Sequence, residues 1–370
     1  MDDPLESTAS PSSYKVYQRR GDDGFDNGTP VSGTSFVTEL PAYGTVYSFR
    51  VTAVNEGGES FPSEELSAGM SPDAEGTVLI VNGFDRISGP AWFDRGGMAG
   101  VAWWYDRGVA DRYNFISTGD QYDFERKSPW TDDDNAGWGA SYSNDEGRVI
   151  PGNTFDFTRV HGQSVMAAGK SFCSVSDEVF TADGYDLSRW CAVDLLFGEE
   201  KTTPSAFWPE RKDYRIYTPE FISVLVRMQE ASVPVFMSGS YPGTDLEMAA
   251  DTALNAKVKK LLHFVPRTGH AVRTGGVAAT DIAAPDFTGK VAFNAGITDM
   301  IYAAEAPDAI EPSGRQSFTA FRYSENNTSA AVMHRGEVRN FVMGFPFETI
   351  MLQEERDALM KQILDFLLKK

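Results

Sequence analysis

The chain has 370 residues, 41% apolar and 23% charged, proportions of a folded protein with room for more than one core rather than of a disordered one. Its 53 acidic against 33 basic side chains leave a net charge of −20, which sets the surface against nucleic acid and anionic membranes. No run approaches the roughly 18 apolar residues of a membrane span, and residues 1–13 have neither the basic nor the apolar region of a signal peptide. Cys173 and Cys191 form no CxxC pair, which argues against zinc-ribbon and redox motifs. A bridge between them and two free buried thiols both fit.

From Tyr14 to Met70 the chain reads as short strands, with Gly21-Asp22-Asp23-Gly24 and Asp26-Asn27-Gly28 as turn signals. Tyr47, Phe49, Val51 and Ala53 alternate, so they are expected on one buried strand face. Tyr47 would be a corner tyrosine whose hydroxyl ties strand to loop. The order Leu40-Pro41, Tyr47, Asn55, Gly58, Ser60 resembles the second half of a fibronectin type III module. Such a sandwich takes ~100 residues and only about seventy are here. The first strands are therefore expected to be missing, with upstream domains of the parent chain and an export signal among them. A small independent hairpin sheet is the other reading.

Residues 73–76 form a linker, and Thr77–Val81 is a continuous apolar run, as in a strand buried on both faces. Further runs are Tyr113–Ile116, Phe172–Val175, Ala192–Phe197, Val233–Met237, Ala330–Met333 and Phe341–Phe345. Thr218-Pro219 offers a helix cap and first-turn proline, with Phe221, Val224, Leu225 and Met228 on one helical face. A last helix is expected from about Glu354 to Leu368. Helices between buried strands predict an α/β domain with a mostly parallel sheet, and the short His334–Glu337 turn predicts a final antiparallel hairpin with His334 in solvent.

Asn340 to Glu348 followed by the terminal helix resembles class I glutamine amidotransferase-like domains. Four motifs widen the likeness: Val81-Asn82-Gly83-Phe84-Asp85-Arg86, Trp130 to Asn135, Gly152 to Asp156 with His161-Gly162, and Ser238 to Asp245. Together they resemble secreted multidomain bacterial proteins labelled xanthan lyases, which join fibronectin type III modules to this α/β domain, often with amidase or golvesin-like domains. The resemblance implies a Rossmann-like, amidotransferase-like, mostly parallel sheet over residues 77–370, preceded by an incomplete all-β fibronectin type III sandwich over residues 1–72. The xanthan lyases of known architecture use an α-helical toroid with β-sandwiches, which this pattern does not fit.

Ligands of open α/β sheets bind beyond the carboxyl ends of the strands. Asn82, Asp85 and Arg86 follow the first strand, Ser240 and Tyr241 follow Val233–Met237, and Glu348 follows the last. Gly239-Ser240-Tyr241-Pro242-Gly243 has the spacing of a nucleophile elbow, but position 241 holds neither the cysteine of amidotransferases nor the serine of hydrolases. A phenol with a pKa near 10 is a poor acyl-transfer nucleophile, although tyrosine nucleophiles serve some glycosidases. A remnant elbow, chemistry through Tyr241 or Ser240, and a plain turn all remain open. His161 fits a general base or a helix-start histidine satisfied by backbone. The candidate catalytic set is thus Tyr241, Ser240, His161, Glu348 and Asp85.

Trp130, Trp138 and Tyr142 beside Asp132, Asp133, Asp134 and Asn135 suggest aromatic faces and acceptors for sugar rings, with core packing the alternative. Those acids could also hold Ca²⁺, though EF-hand spacing is lacking and a solvated loop fits as well; no other cofactor is expected. Candidate ligand-binding residues are Asn82, Arg86, Trp130, Asp132, Asp134, Asn135 and Trp138. The leading expectation is an extracytoplasmic envelope or surface protein that binds, and in one version processes, a polysaccharide or peptidoglycan-type ligand. A carbohydrate-active lyase or hydrolase and a non-catalytic scaffold of a larger envelope enzyme are the alternatives.

Overall fold

The structure is a computed structural model that describes residues 10–60, 62–72, 74–84, 156–204, 212–295, 301–302, 304 and 306–369, and the backbone of short strands at 92–95, 98–101, 121–122 and 141–142. The expected strand Tyr113–Ile116 lies outside these residues.

The first seventy residues give strands β1 (Ser13–Arg20), β2 (Thr29–Val31), β3 (Val46–Asn55), β4 (Gly58–Glu59) and β5 (Leu66–Gly69), all paired antiparallel. Then come β6 (Thr77–Asn82), helix α1 (Phe157–Ala167), β7 (Ser171–Ser176), α2 (Asp177–Thr181) and β8 (Ala192–Leu196). Helix α3 (Pro219–Glu230) starts at Thr218, whose hydroxyl accepts from the Phe221 amide, with Pro219 in the first turn where no donor is needed. It leads to β9 (Val235–Ser238), α4 (Thr244–Ala249), α5 (Thr252–Leu262) and β10 (Phe264–Thr268). The remainder is β11 (Gly276–Ala279), β12 (Lys290–Ala292), β13 (Ala309–Pro312), β14 (Ser317–Tyr323), β15 (Ser329–His334), β16 (Asn340–Met343) and α6 (Gln353–Leu367).

The main sheet has 14 strands, ordered β12-β11-β14-β15-β16-β9-β8-β6-β7-β5-β3-β1-β2 with β4 on β3. Its centre, β7-β6-β8-β9-β16, is parallel. Alternate residues of these strands enter separate cores. Val78, Ile80, Phe236 and Phe341 pack on the side of α1 and α6, while Leu79, Val81, Val193, Met237 and Val342 pack on the side of α3 and α5. Burial on both faces explains the continuous apolar runs; each such side chain contributes about 1.5–3 kcal/mol.

The whole differs from the expected fold. Four of the thirteen ladders of this sheet are parallel and nine antiparallel, so the sheet is mixed rather than mostly parallel and Rossmann-like. One antiparallel wing, β14, β11 and β12, continues beyond the expected β15–β16 hairpin.

The other wing is the N-terminal segment itself. Phe172 pairs with Gly69 and Cys173 with Ala68, so β5 extends the central sheet instead of closing a separate fibronectin type III sandwich. The face turned inward also differs. Val46, Ser48 and Thr52 are buried, whereas Val51 is 37% exposed. The polar face wins because the start of α1, with Glu65 before β5, supplies its partners. Arg19 sits between Glu65, at 2.6 Å, and Asp156, at 2.9 Å, Ser67 meets Ser48 and Thr158, and a buried charge is tolerated when so paired. Tyr47 is buried, but its hydroxyl has no hydrogen-bond partner among the described residues, so it does not make the expected corner bond.

His334 is not a solvated turn residue. It ends β15 at 9% exposure, stacked on His263 with ring centroids 3.4 Å apart. The Ser317 hydroxyl donates to the Ser313 carbonyl and therefore accepts from His334 Nδ1–H, at 3.0 Å. Burial and the neighbouring His263 hold the His334 pKa down at about 4.

Candidate functional site at the strand carboxyl ends

From β6 the chain crosses to β7 on one side, and from β8 to β9 on the other. The carboxyl ends of β6 and β8 therefore flank a topological switch point, where open sheets leave a crevice. The two strand ends approach closely. The Gly83 amide donates to the Leu196 carbonyl, and a Cβ at Gly83 would stand 2.6 Å from the Phe197 ring. Gly198, at φ +44°, turns the chain into Glu199, Glu200 and Lys201, all buried.

On the α1 side, His161 is fully buried in the middle of α1, not at its start. Its Nδ1 lies 2.7 Å from Asp194 Oδ2 and its Nε2 3.2 Å from Glu348 Oε2. The Tyr302 hydroxyl donates to the other Glu348 oxygen at 2.6 Å. Burial alone would push the imidazole pKa down, but the two carboxylates more than reverse this and place it at about 9. His161 is therefore an imidazolium at neutral pH, donating from both nitrogens. Burial, then the Glu348 charge and further that of Glu199, push the Tyr302 phenol well above its ordinary value. Phe84 and Phe157 pack against the Tyr302 ring.

Ser240 and Tyr241 follow β9. The Ser240 hydroxyl donates to Glu199 Oε1 at 2.6 Å. Tyr241 is buried in the core on the α3 side, with Lys201 Nζ 4.5 Å from its ring centre. Neither residue has a positive φ, so the turn lacks left-handed backbone at these two positions. Asn82 donates from its side-chain amide to Glu64. Burial pushes the Glu64 pKa up to about 7, and Glu178 and Asp177 add to the rise against the Asn82 bond.

Of the sequence candidates, His161 and Glu348 are in direct contact, whereas Tyr241 lies in the core on the α3 side. Ser240 joins through Glu199, whose charge also reaches Tyr302. Asn82 ends the adjoining β6. Asp85, Arg86, Trp130, Asp132, Asp133, Asp134, Asn135 and Trp138 lie outside the described residues, as does the Ca²⁺ reading of the acidic loop. Among the described residues no group of three or more His, Cys, Asp or Glu could hold a metal ion, and no helix is long and apolar enough to cross a membrane. Cys173 and Cys191 are free and half-buried.

Sequence reasoning missed Asp194, Glu199, Lys201 and Tyr302. Asp194 carried a signal, as an acid inside the apolar run Ala192–Phe197, since a buried polar residue is more informative than a buried apolar one. Glu199 to Lys201 follow that run after Gly198, the position of a strand-end loop. Tyr302 carried none.

No family model matches the chain, and no curated protein matches it. Among solved structures, exo-beta-1,4-mannosidase Op5Man5 from Opitutaceae bacterium strain TAV5 overlaps it with a TM-score of 0.36 at 14% identity, over 60% of this chain and 33% of that one. The chain thus spans about a third of that enzyme's length, and an overlap this low defines neither fold nor activity here.

Proposed function

We propose that this is an extracytoplasmic envelope or surface protein whose strand carboxyl edge binds a polysaccharide or peptidoglycan-type ligand. The observation that carries this is the gathering of Glu199, Ser240, Tyr302 and Glu348 around the switch point. These carboxylates and hydroxyls suit the hydroxyl-rich rim of a sugar. The motif likeness to secreted envelope proteins supports the ligand class and the location. Binding is favoured over catalysis by the state of His161. Both its nitrogens face the carboxylates of Asp194 and Glu348, so neither is turned to Ser240 or Tyr241 as a general base would be.

A second reading, a carbohydrate-active hydrolase or lyase, has one observation in its favour, the 2.6 Å hydroxyl–carboxylate contact of Ser240 with Glu199. Calorimetry and affinity electrophoresis against peptidoglycan fragments and a polysaccharide panel separate the readings. Saturable binding without product release is expected, weakened several-fold by Glu199→Gln with the fold retained by circular dichroism. Product formation abolished by Ser240→Ala would replace the binding reading by the enzymatic one. Failure of every panel member to bind would leave the scaffold alternative.

A further inference from the structure

The charges at the strand edge bear on which saccharides it accepts, given the binding reading above. Ser238 pairs with Leu196 and Met343 and stands two residues beyond Phe236, so its side chain emerges on the sheet face shared by Asp194 and Phe236, over which His161 packs. The Ser238 hydroxyl is fully buried without a hydrogen-bond partner among the described residues, and so is Asp194 Oδ1. Buried polar atoms are seldom left unpaired. These two lie on the face where Tyr302 and Glu348 converge, and they call for a guest that brings hydroxyl donors.

The cations near this edge are already engaged. The His161 imidazolium is held between two carboxylates, Lys201 lies over the Tyr241 ring, and Arg356 donates to the Ile350 carbonyl and to Gln353 Oε1. At the rim, Glu64 is flanked by the charges of Asp177 and Glu178.

We propose that the site selects hydroxyl-rich saccharides without acid groups and rejects polyanionic ones. Ligand hydroxyls would donate to Glu199, Glu348 and Asp194 Oδ1. A ligand carboxylate brings only acceptors, so it would satisfy none of these buried acceptors and would meet the charges of Glu199 and Glu348. Such a contact is strong in a partly desolvated site and is screened by salt.

The test compares one polymer in two charge states, native xanthan fragments bearing their carboxylates and the same fragments after chemical reduction of those carboxylates to primary alcohols. Titration of the wild-type chain at low salt should give at least about tenfold tighter binding of the reduced form, with the gap narrowing as salt is added. Glu199→Gln should narrow it at low salt. Equal or tighter binding of the native form overturns the charge selection and leaves the saccharide reading standing. If neither form binds and the wider panel is also negative, the saccharide reading itself fails and the selection falls with it.

Discussion

Replacing His161 by glutamine removes the cation held between Asp194 and Glu348 while keeping a side chain of similar reach. The imidazole pKa rises from 6.5 to about 9 on folding, a rise worth about 3 kcal/mol of stability by linkage. That agrees with the about 3–5 kcal/mol lost when a buried ion pair is deprived of one partner. The sign follows from the direction of the rise. The folded pKa lies above the unfolded one, so the stabilisation is complete below pH 6.5 and is lost as pH rises through about 9. Urea unfolding of wild type and His161→Gln should therefore differ by about 3 kcal/mol at mildly acidic pH and converge in alkali. A difference that does not change with pH, or one under about 1 kcal/mol at mildly acidic pH, would show that the imidazole is neutral or weakly coupled. The ionic description of this network would then be wrong.

The stacked pair at the other end of the sheet should respond in the opposite sense. The His334 pKa falls from 6.5 to about 4 on folding, so wild type should lose up to about 3 kcal/mol as pH drops across that window, and His334→Gln should remove this acid-side slope. A wild-type stability flat over that range would contradict the buried stack. Gly344→Ala should destabilise by about 1–3 kcal/mol, as overpacking does, because a Cβ there would fall on the Asp308 carbonyl oxygen, whose residue is tied to Gly344 through backbone. A melting temperature equal to wild type would refute that packing.

The central strands were legible because burial on both faces writes a nearly continuous apolar run, as at Val78–Val81 and, broken only by Asp194, at Ala192–Leu196. The capped start of α3 at Thr218-Pro219 was equally plain, as was the last helix. The antiparallel wing was not. Ser317–Tyr323 mixes Thr319 and Arg322 with its aromatics, and β11 and β12 are only four and three residues long, too short for a period to show. Seeing the doubly buried strands but not the wing made the sheet look mostly parallel. In the first seventy residues alternation identified strands but chose the wrong solvent face beyond Tyr47, because Asp156 and Thr158, the partners of Arg19 and Ser67, stand at the start of α1, far away in sequence. At the candidate site the strand-end rule found Ser240, Glu348 and Asn82. The link between His161 and Glu348, 187 residues apart, exists only once α1 lies across the sheet.

The junction of β5 with β7 has a bearing on aggregation. Without β5, the backbone donors and acceptors along the outer side of β7 would face solvent, a ready template for a strand of another molecule. The N-terminal strands act as a stopper on that edge and move the sheet's boundary outward. Both final boundaries are poor templates. β2 is three residues long and centred on Pro30, which has no amide hydrogen to offer, and β12 is three residues long and begins with Lys290. A sheet of fourteen strands thereby ends, on either side, in a strand too short and too ill-suited to recruit a fifteenth.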